Sequence, residues 1–319
     1  MKNILVTGAA GFIGSHLVER LLEHDYQIFG VDNFSTGKRE NIDYLIKLNK
    51  KGSFKFIEAD ICNQKLCLDL FKGMDYIFHQ AALGSVPRSI KHPELYFKNN
   101  LGGFINVLES SRLNNVKRLI YASSSSVYGD TPKLPKSEVM PLNPKSPYAL
   151  TKATGEMYAK MYQDTYGLEV IGFRYFNVFG QRQDPLSQYA AVIPKFFTQS
   201  IKGENLTVNG NGLQTRDFTY IENVINYNLL AMTSNFSTTN RVYNIGCGEQ
   251  TSVLSLAKKI KEITDSNNKI LFCDNRNGDV KNSLACLQLI KDNLGSIKII
   301  NLDDGLKNTF KWYQNDCLK

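Results

Sequence analysis

The sequence lacks the features of a membrane-spanning protein and of a metal-binding site. No apolar run reaches the roughly 18 residues of a spanning helix, and Met1 to Val6 lead into a strand pattern without the apolar region of a signal peptide. The six cysteines are scattered, and neither a Cys-x-x-Cys pair nor a histidine-rich stretch has metal-ligand spacing. We therefore expect a cytoplasmic protein with reduced thiols and no metal site.

Charge is not concentrated in one stretch either. The net charge of +8 comes from basic residues spread along the chain, which disfavours nucleic acid as a partner and fits phosphorylated small molecules better. With 319 residues, 42% of them hydrophobic, the chain is long enough for one large domain or two packed domains.

The chain opens with one β-α-β pattern, KNILVTGAAGFIGSHLVERLLEHDYQIFGVDN. Gly8, Gly11 and Gly14 fall in the turn and the first helical positions, where missing side chains let a pyrophosphate approach backbone N–H groups. Asp32 ends the second apolar run, where its carboxylate can bind a ribose diol and repel a 2′-phosphate. The alternative is that Asp32 is a turn residue without a ligand. No lysine follows the glycines as in an ATP-binding P-loop. The pattern predicts NAD rather than NADP.

Strand and helix patterns keep alternating after this unit. Apolar runs in FKFIEADI, DYIFHQAA, VKRLIYASSSSVYG and LEVIGFRYFN each follow a helical stretch, including helices expected at 93–115 and 147–166. This order predicts an α/β fold, a doubly wound, mostly parallel sheet of the Rossmann type. Ligands bind beyond the carboxyl ends of such strands, so Asp60, 80–82, 123–125 and 175–177 should converge on one crevice.

The stretch SPYALTK places Tyr148 and Lys152 four residues apart after a helix-starting proline. Positions i and i+4 are neighbours on a helix, so the ammonium can lie near the phenol and lower its pKa. One such spacing is expected by chance in a chain of this length, so the pair alone decides nothing.

Seven ordered motifs together resemble the extended short-chain dehydrogenase/reductases: TGAAGFIGSHL, DN, ADI, HQAA, ASSSSVYGD, SPYALTK and RYFNVFG. Later stretches, YAAVIPKF, TRDFTYIENV and RNGDVKNSLA, look like nucleotide-sugar 4-epimerases, especially the branch acting on UDP-N-acetylglucosamine. The resemblance implies that Tyr148 is the acid and base for the sugar 4-hydroxyl, Lys152 holds the nicotinamide ribose and lowers the tyrosine pKa, and Ser124 binds the 4-oxygen.

The same resemblance implies an NAD site and a UDP-sugar site. The expected NAD contacts are Gly8, Gly11, Phe12, Ile13, Gly14, Asp32, Asn33, Ser35, Thr36, Gly37, Asp60, Ile61, Gln80, Ala81, Ala82, Asn100, Tyr148, Lys152 and Tyr175. The expected substrate contacts are Ser85, Arg88, Ser124, Ser125, Ser126, Tyr148, Asn177, Ala191, Val192, Lys195, Thr207, Val208, Asn209, Arg216, Arg276, Asp279 and Ser283. Arg216 and Arg276 suit the diphosphate, because a guanidinium fork binds it through two oxygens.

Three related reactions share this fold, and the site distinguishes them. Sugar 4,6-dehydratases have two carboxyl side chains where Ser125 and Ser126 stand here, and decarboxylases usually have a glutamate in place of Ser126. Without those carboxyl groups, oxidation at C4 and return of the hydride remains. The small Ser283 implies room for an acetamido group, so UDP-GlcNAc and UDP-GalNAc are the expected pair. Alternatives are a uronate 4-epimerase, or an NAD-binding module without catalysis.

The predicted organisation is an NAD-binding domain over residues 1–178 and a smaller mixed α/β substrate domain over 179–319, with the chain crossing back around 217–247. The helices at 93–115 and 147–166 carry extra apolar residues: Phe104, Leu108, Met157, Tyr158, Met161 and Tyr162. The family resemblance implies a homodimer through a four-helix bundle of these helices. The alternative is that these residues complete the core.

Overall fold

The computed structural model describes residues 1–48, 50–185, 191–234, 241–274 and 281–314. The first part of the chain alternates strands and helices: β1 (Lys2–Thr7), α1 (Phe12–Leu21), β2 (Tyr26–Asp32), α2 (Arg39–Lys47), β3 (Ser53–Glu58), α3 (Gln64–Leu70), β4 (Tyr76–His79), α4 (Val86–Lys91), α5 (Pro93–Tyr96), α6 (Gly103–Leu113), β5 (Arg118–Ser124), α7 (Pro147–Tyr166) and β6 (Val170–Tyr175). A π-helical segment, Phe97–Gly102, joins α5 to α6, and a 3₁₀ turn, Ser125–Tyr128, follows β5.

The remaining elements are shorter and more mixed: β7 (Val178–Phe179), α8 (Val192–Ile201), β8 (Leu206–Asn209), β9 (Thr215–Arg216), β10 (Thr219–Tyr220), α9 (Ile221–Thr233), β11 (Arg241–Ile245), β12 (Thr251–Ser252), α10 (Val253–Ile263), β13 (Ile270–Cys273), α11 (Gln288–Leu294) and α12 (Leu302–Trp312). None of the helices in the described ranges is long and apolar enough to cross a membrane.

Seven parallel strands form the central sheet, in the order β11-β6-β5-β4-β1-β2-β3. Alternate residues of one strand face opposite sides of a sheet. In β1, Ile4 and Val6 enter one buried apolar cluster and Leu5 enters the other. Both faces are therefore covered by helices, which confirms the doubly wound α/β fold predicted from the alternation.

Two long helical segments cover the face that includes Leu5. The helix α7 begins and ends at the residues that the sequence predicts: Ser146 caps its N-terminus by accepting a bond from the Ala149 N–H (3.2 Å), and Gly167 closes it at φ 72°. The other segment is helical from Pro93 to Leu113 but not uniform, because a π-helical stretch interrupts it. A π-turn shifts the register of side chains and is frequent near functional sites.

The strand β11 lies beside β6 as the outer strand of the central sheet, although it follows α8 to α9 in the chain. Segment 241–245 therefore belongs structurally with the first half. The smaller sheets pair β8 with β13, β9 with β12 and β7 with β10. The division at residue 178 into two functional domains stays a prediction.

Candidate active site

One cleft lies beyond the carboxyl ends of β1 to β4. Its walls include eleven of the residues expected from sequence to contact NAD: Gly8, Gly11, Asp32, Asn33, Ser35, Thr36, Asp60, Ile61, Gln80, Ala81 and Ala82. Four further residues, Val31, Ala59, Leu83 and Asn99, complete the lining. Val31 and Ala59 directly precede Asp32 and Asp60, so the strand-end rule could have found them. Leu83 and Asn99 carry no sequence signal of their own.

The glycine-rich turn is shaped for a ligand that needs close backbone approach. Gly8 has φ 72°, and a Cβ there would lie 2.7 Å from the Ala81 nitrogen. A Cβ at Gly14 would lie 2.0 Å from the Gly8 oxygen. Gly11 caps α1 without a side chain, so the N–H groups of the first turn, at Phe12 and Ile13, stay accessible to phosphate oxygens.

Asp32 sits at the end of β2 and organises the next loop. Its carboxylate accepts bonds from the Ala10 N–H (3.0 Å) and the Phe34 N–H (2.8 Å). Burial raises the pKa of Asp32, while these N–H donors oppose the rise. A Cβ at Gly37 would lie 2.9 Å from the same carboxylate, so only a glycine lets this loop fold against Asp32. Each carboxylate oxygen keeps a further lone pair for a ribose hydroxyl.

The candidate catalytic residues lie together where β5 meets α7. Tyr148 and Lys152 are one turn apart on α7, and the Tyr148 phenol shares a hydrogen bond with Ser124 at the end of β5. The Ser124 hydroxyl also accepts bonds from the N–H (3.2 Å) and the hydroxyl (2.9 Å) of Ser126. Lys152 is only 9% exposed and donates to the Ala122 carbonyl at 2.7 Å.

The electrostatics of this pair differ from the simple expectation. Burial raises the pKa of Tyr148, and only the bond to Ser124 opposes it. Burial lowers the pKa of Lys152 to about 8, and the negative charge of Glu156 opposes that shift. The Lys152 ammonium is directed to the Ala122 carbonyl, and burial rather than the lysine charge sets the direction of the Tyr148 pKa shift. For the phenol to act as a base near neutral pH, a further positive charge is needed beside it.

Tyr96, which is not among the residues expected from the sequence, supports Tyr148 by packing against its ring. The Tyr96 ring packs edge-on against the Tyr148 ring (6.3 Å between centroids), and its hydroxyl bonds the carbonyls of Gly84 and Ser85. Ser85 has φ 84° and caps α4 by accepting a bond from the Arg88 N–H (3.2 Å). No sequence motif marks Tyr96, since its function depends on a contact between distant elements.

Two residues expected to contact NAD, Asn100 and Tyr175, bond other protein groups and are not among the residues that line the cleft. Asn100, 5% exposed, bonds both the N–H (2.8 Å) and the carbonyl (3.0 Å) of Leu83. The Tyr175 hydroxyl is buried and lies within bonding distance of Gln80 (3.3 Å) and Asn228 (2.9 Å). Both residues fix the cleft wall from behind.

The expected substrate residues come from several short elements. Arg216, on β9, donates to the carbonyls of Thr215 (2.8 Å) and Lys281 (3.2 Å), and the Ser283 N–H donates to the Thr215 carbonyl (3.1 Å). The segment 281–283 therefore lies against Arg216. The Asn177 amide, at φ 33°, donates to the Asp217 carbonyl (3.0 Å).

The expected substrate contacts on α8 and β8 are only partly available to a ligand. Ala191 and Val192 start α8, and Lys195 on that helix donates to the Thr207 carbonyl (3.4 Å). Thr207 and Asn209 of β8 are half-buried, whereas Val208 is fully buried in the core, so its side chain faces away from any cleft. Arg276 and Asp279 lie outside the described residues.

Asp217, like Tyr96, is not among the site residues expected from the sequence. It is fully buried, and its carboxylate accepts N–H bonds from Cys247 (2.8 Å), Gly248 (3.0 Å) and Ala285 (3.0 Å). Burial raises its pKa to about 6 despite these donors. Asp217 thus ties three separate segments together next to Arg216.

Comparison with known proteins agrees with this geometry. A sequence model described as the NAD dependent epimerase/dehydratase family matches residues 4–246. A putative UDP-glucose 4-epimerase of Methanocaldococcus jannaschii is 38% identical over 98% of this chain and 99% of its own.

Two solved structures are similar over nearly the whole chain. The UDP-N-acetylglucosamine 4-epimerase of Methanobrevibacter ruminantium, in complex with UDP-N-acetylmuramic acid, has a TM-score of 0.91 and 38% identity, and the match covers 98% of each chain. The UDP-glucose 4-epimerase of Thermotoga maritima, with UDP-glucose, has a TM-score of 0.92 and 37% identity, covering 99% of each. With the glycine-rich turn, Asp32 and the Ser124–Tyr148–Lys152 cluster in place, this chain belongs to the NAD dependent epimerase/dehydratase family and is a nucleotide-sugar 4-epimerase.

Proposed function

We propose that the enzyme interconverts UDP-GlcNAc and UDP-GalNAc through a transient 4-keto sugar, and that UDP-Glc and UDP-Gal are a slower pair. The observation that supports this substrate is the small, 8% exposed Ser283, on a segment that lies against Arg216. A serine there leaves room for an acetamido group, and Ser125 and Ser126 offer hydroxyls to bind it. The similar M. ruminantium enzyme, named for UDP-N-acetylglucosamine, agrees with this choice.

In this proposal Tyr148 takes the proton of the sugar 4-hydroxyl and returns it to the 4-oxygen when the hydride comes back to the opposite face of C4. Ser124, already bonded to the phenol, holds the 4-oxygen as the proton moves. NAD⁺, when bound, supplies the hydride acceptor and donor and a positive charge. Because burial alone raises the pKa of Tyr148, that added charge is what makes the phenol a base near neutral pH.

The remaining contacts hold the nucleotide while the keto sugar turns about its diphosphate linkage. Arg216 and Arg88 are proposed to bind the diphosphate, together with Asn177 at a strand end. Arg276 and Asp279 are proposed for the same task from sequence alone. Ala191, Val192, Lys195, Thr207 and Asn209 frame the uridine, together with the backbone of Val208.

Specificity constants for both sugar pairs test the substrate. We expect a higher kcat/KM for the acetylated pair, and Ser283→Tyr should lower that value at least about tenfold while sparing UDP-Glc, because the larger side chain fills the acetamido space. Ser266→Tyr, a second serine of the same half of the chain, is the matched control. A preference of the wild type for UDP-Glc, or for a UDP-uronate in the same panel, would contradict the proposal.

We also propose that two copies pair through α7 and the π-helical segment. Exposed apolar side chains lie along them: Leu150 (55%), Met157 (61%) and Met161 (38%) on α7, and Phe97 (63%) on the π-helical segment. Phe104 and Leu108 belong to the core instead. Sedimentation velocity should show a dimer that Met157→Lys disrupts, whereas Phe272→Lys, an equally exposed control on β13, should leave it intact. A monomeric wild type would reject this interface.

A further inference from the structure

Three residues of α7 meet the end of β5 in succession. Tyr148, Lys152 and Glu156 are spaced by four, so they lie on the same side of the helix. Each contacts one residue of segment 122–124: Tyr148 shares a bond with Ser124, Lys152 donates to the Ala122 carbonyl (2.7 Å), and Glu156 accepts the Ser123 hydroxyl (2.5 Å). Tyr148 and Lys152 have roles in the expected reaction, whereas Glu156 has been given none so far.

Glu156 is held in a defined position inside the protein. It is 6% exposed, and its carboxylate receives the guanidinium of Arg174 through two bonds, Nε to Oε1 (3.0 Å) and Nη2 to Oε2 (2.6 Å). Arg174 also donates to the Tyr128 hydroxyl (2.8 Å), which donates to Asn244 (2.7 Å). The carboxylate therefore cannot swing away from the lysine one turn before it.

We propose that Glu156 is a positioning residue that keeps the Lys152 ammonium charged where it donates to the Ala122 carbonyl, two residues before Ser124. The inference deepens the proposed function and rests on the role that the family resemblance implies for Lys152, which is to hold the nicotinamide ribose. A buried ammonium loses its proton readily, because burial disfavours the charged form. A carboxylate fixed one helical turn away opposes that loss.

The charged groups around the pair support this assignment. Burial lowers the pKa of Lys152 to about 8, and the Glu156 charge acts in the opposite direction. From the sheet, His79 of β4, Tyr121 of β5 and Arg174 of β6 face the pair. Burial raises the pKa of Tyr121. Burial and, to a smaller extent, the Lys152 charge lower the pKa of His79, so both His79 and Tyr121 are neutral near pH 7. From the other elements packed on α7, the ionisable side chains are Arg88, Lys91, Glu94, Tyr96, Lys98, Glu109, Arg112 and Tyr128.

An alternative explanation is that Glu156 only neutralises Arg174, because a buried charge without a partner is strongly destabilising. The two explanations differ in what removal of both partners does. If Glu156 serves Arg174 alone, the double variant Glu156→Gln/Arg174→Met restores Lys152 to its wild-type behaviour. If Glu156 acts on Lys152, the double variant still lacks the nearer negative charge, so the lysine keeps a lowered pKa.

The test is a direct titration of Lys152 in the full chain. The protein is labelled with ¹³C at lysine Cε, and its NMR signal is assigned by its loss in Lys152→Arg. We expect the titration midpoint to fall by about one unit or more in Glu156→Gln and by a smaller amount in the double variant. Glu169→Gln removes the partner of Arg118 at the opposite end of β5 and should leave the midpoint unchanged. An unchanged midpoint in Glu156→Gln, or a wild-type midpoint in the double variant, overturns the proposal.

Turnover provides the second readout and separates this proposal from the proposed function. The alkaline limb of the kcat/KM profile should move to lower pH in both Glu156 variants and not in Glu169→Gln. A midpoint that shifts while the alkaline limb stays fixed would also overturn the proposal, because Glu156 would then not act through Lys152 on catalysis. A wild type that turns over no UDP-sugar would reject the proposed function, and the titration would still test the Glu156–Lys152 coupling.

Discussion

The dinucleotide cleft and the UDP-sugar side of this molecule are built in different ways. The cleft is formed by the carboxyl ends of neighbouring parallel strands, with Gly8 directly after β1 and Asp32 at the end of the adjacent strand β2. The sugar side is assembled from short elements far apart in sequence, held by contacts such as Arg216 with Lys281 and Asp217 with Ala285. The first site follows from the topology of one sheet, and the second depends on how several separate segments pack.

The largest expected effect lies where the two sites meet. Tyr148→Phe removes the only proposed proton carrier, so turnover should fall roughly 10³-fold, while NAD binding stays nearly unchanged. Tyr162→Phe is the matched control, because Tyr162 is a buried tyrosine of the same helix whose hydroxyl donates to Glu109 (3.1 Å). Steady-state rates and NAD titration measure both. Undiminished turnover in Tyr148→Phe would overturn the assignment of the base.

The next effect should be confined to the dinucleotide cleft. Gly8→Ala introduces a Cβ 2.7 Å from the Ala81 nitrogen at φ 72°, so we expect a loss of about 3 kcal/mol in the free energy of unfolding and strongly weakened NAD binding. Gly73→Ala has the same φ of 72° with open space around it, and should cost only about 1 kcal/mol. Thermal unfolding and calorimetry compare the two. Equal losses would mean that backbone strain, and not close approach, explains Gly8.

A substitution on the sugar side should spare the cleft. Arg216→Ala removes a proposed diphosphate contact, so KM for the UDP-sugar should rise by roughly tenfold or more with little change in NAD affinity. Arg20→Ala, which removes a guanidinium bonded to Asn226 on α9, is the control and should leave KM unchanged. If NAD affinity falls as much as substrate affinity in Arg216→Ala, the two sites are not separable in this way.

The smallest expected effect concerns the stability cost of the catalytic lysine. Its pKa is about 8 in the fold and 10.5 in a free side chain, so the unfolded chain binds more protons between these values and stability should rise with pH across that window. Below pH 8 the lysine is charged in the folded protein, so the full cost of burying that charge lowers the stability. Lys152→Met should therefore stabilise the ligand-free protein by about 1 to 2 kcal/mol at pH 7 and by little at pH 11. Urea unfolding at both pH values measures this, and a variant that is destabilised at pH 7 would contradict it.

The same contrast explains how much the sequence could predict. The parallel sheet, the bounds of α7 and the residues around the dinucleotide cleft follow from periodic patterns and from the rule that strand ends converge. The assignment of apolar helix residues was harder: Phe104 lies in the core and Met157 on the surface, because periodicity alone does not show which of two faces a neighbour covers.

The electrostatics could not be predicted from spacing. The four-residue interval suggested that Lys152 lowers the pKa of Tyr148, but burial raises that pKa, and the Lys152 ammonium is bonded to the Ala122 carbonyl. The supporting contacts of Tyr96 and Asp217 could not be predicted from the sequence for a similar reason. Each depends on long-range packing that brings a single polar atom to a backbone group, and no local pattern records such a contact.

The central claim is that this site oxidises and reduces the same sugar carbon without a net redox change. Purified protein is incubated with UDP-GlcNAc and UDP-Glc deuterated at C4, without added NAD⁺, and the products are examined by NMR and by absorbance at 340 nm. The account predicts 4-epimers that retain deuterium at C4, and no accumulation of NADH. Loss of the deuterium, or steady accumulation of NADH, would contradict it.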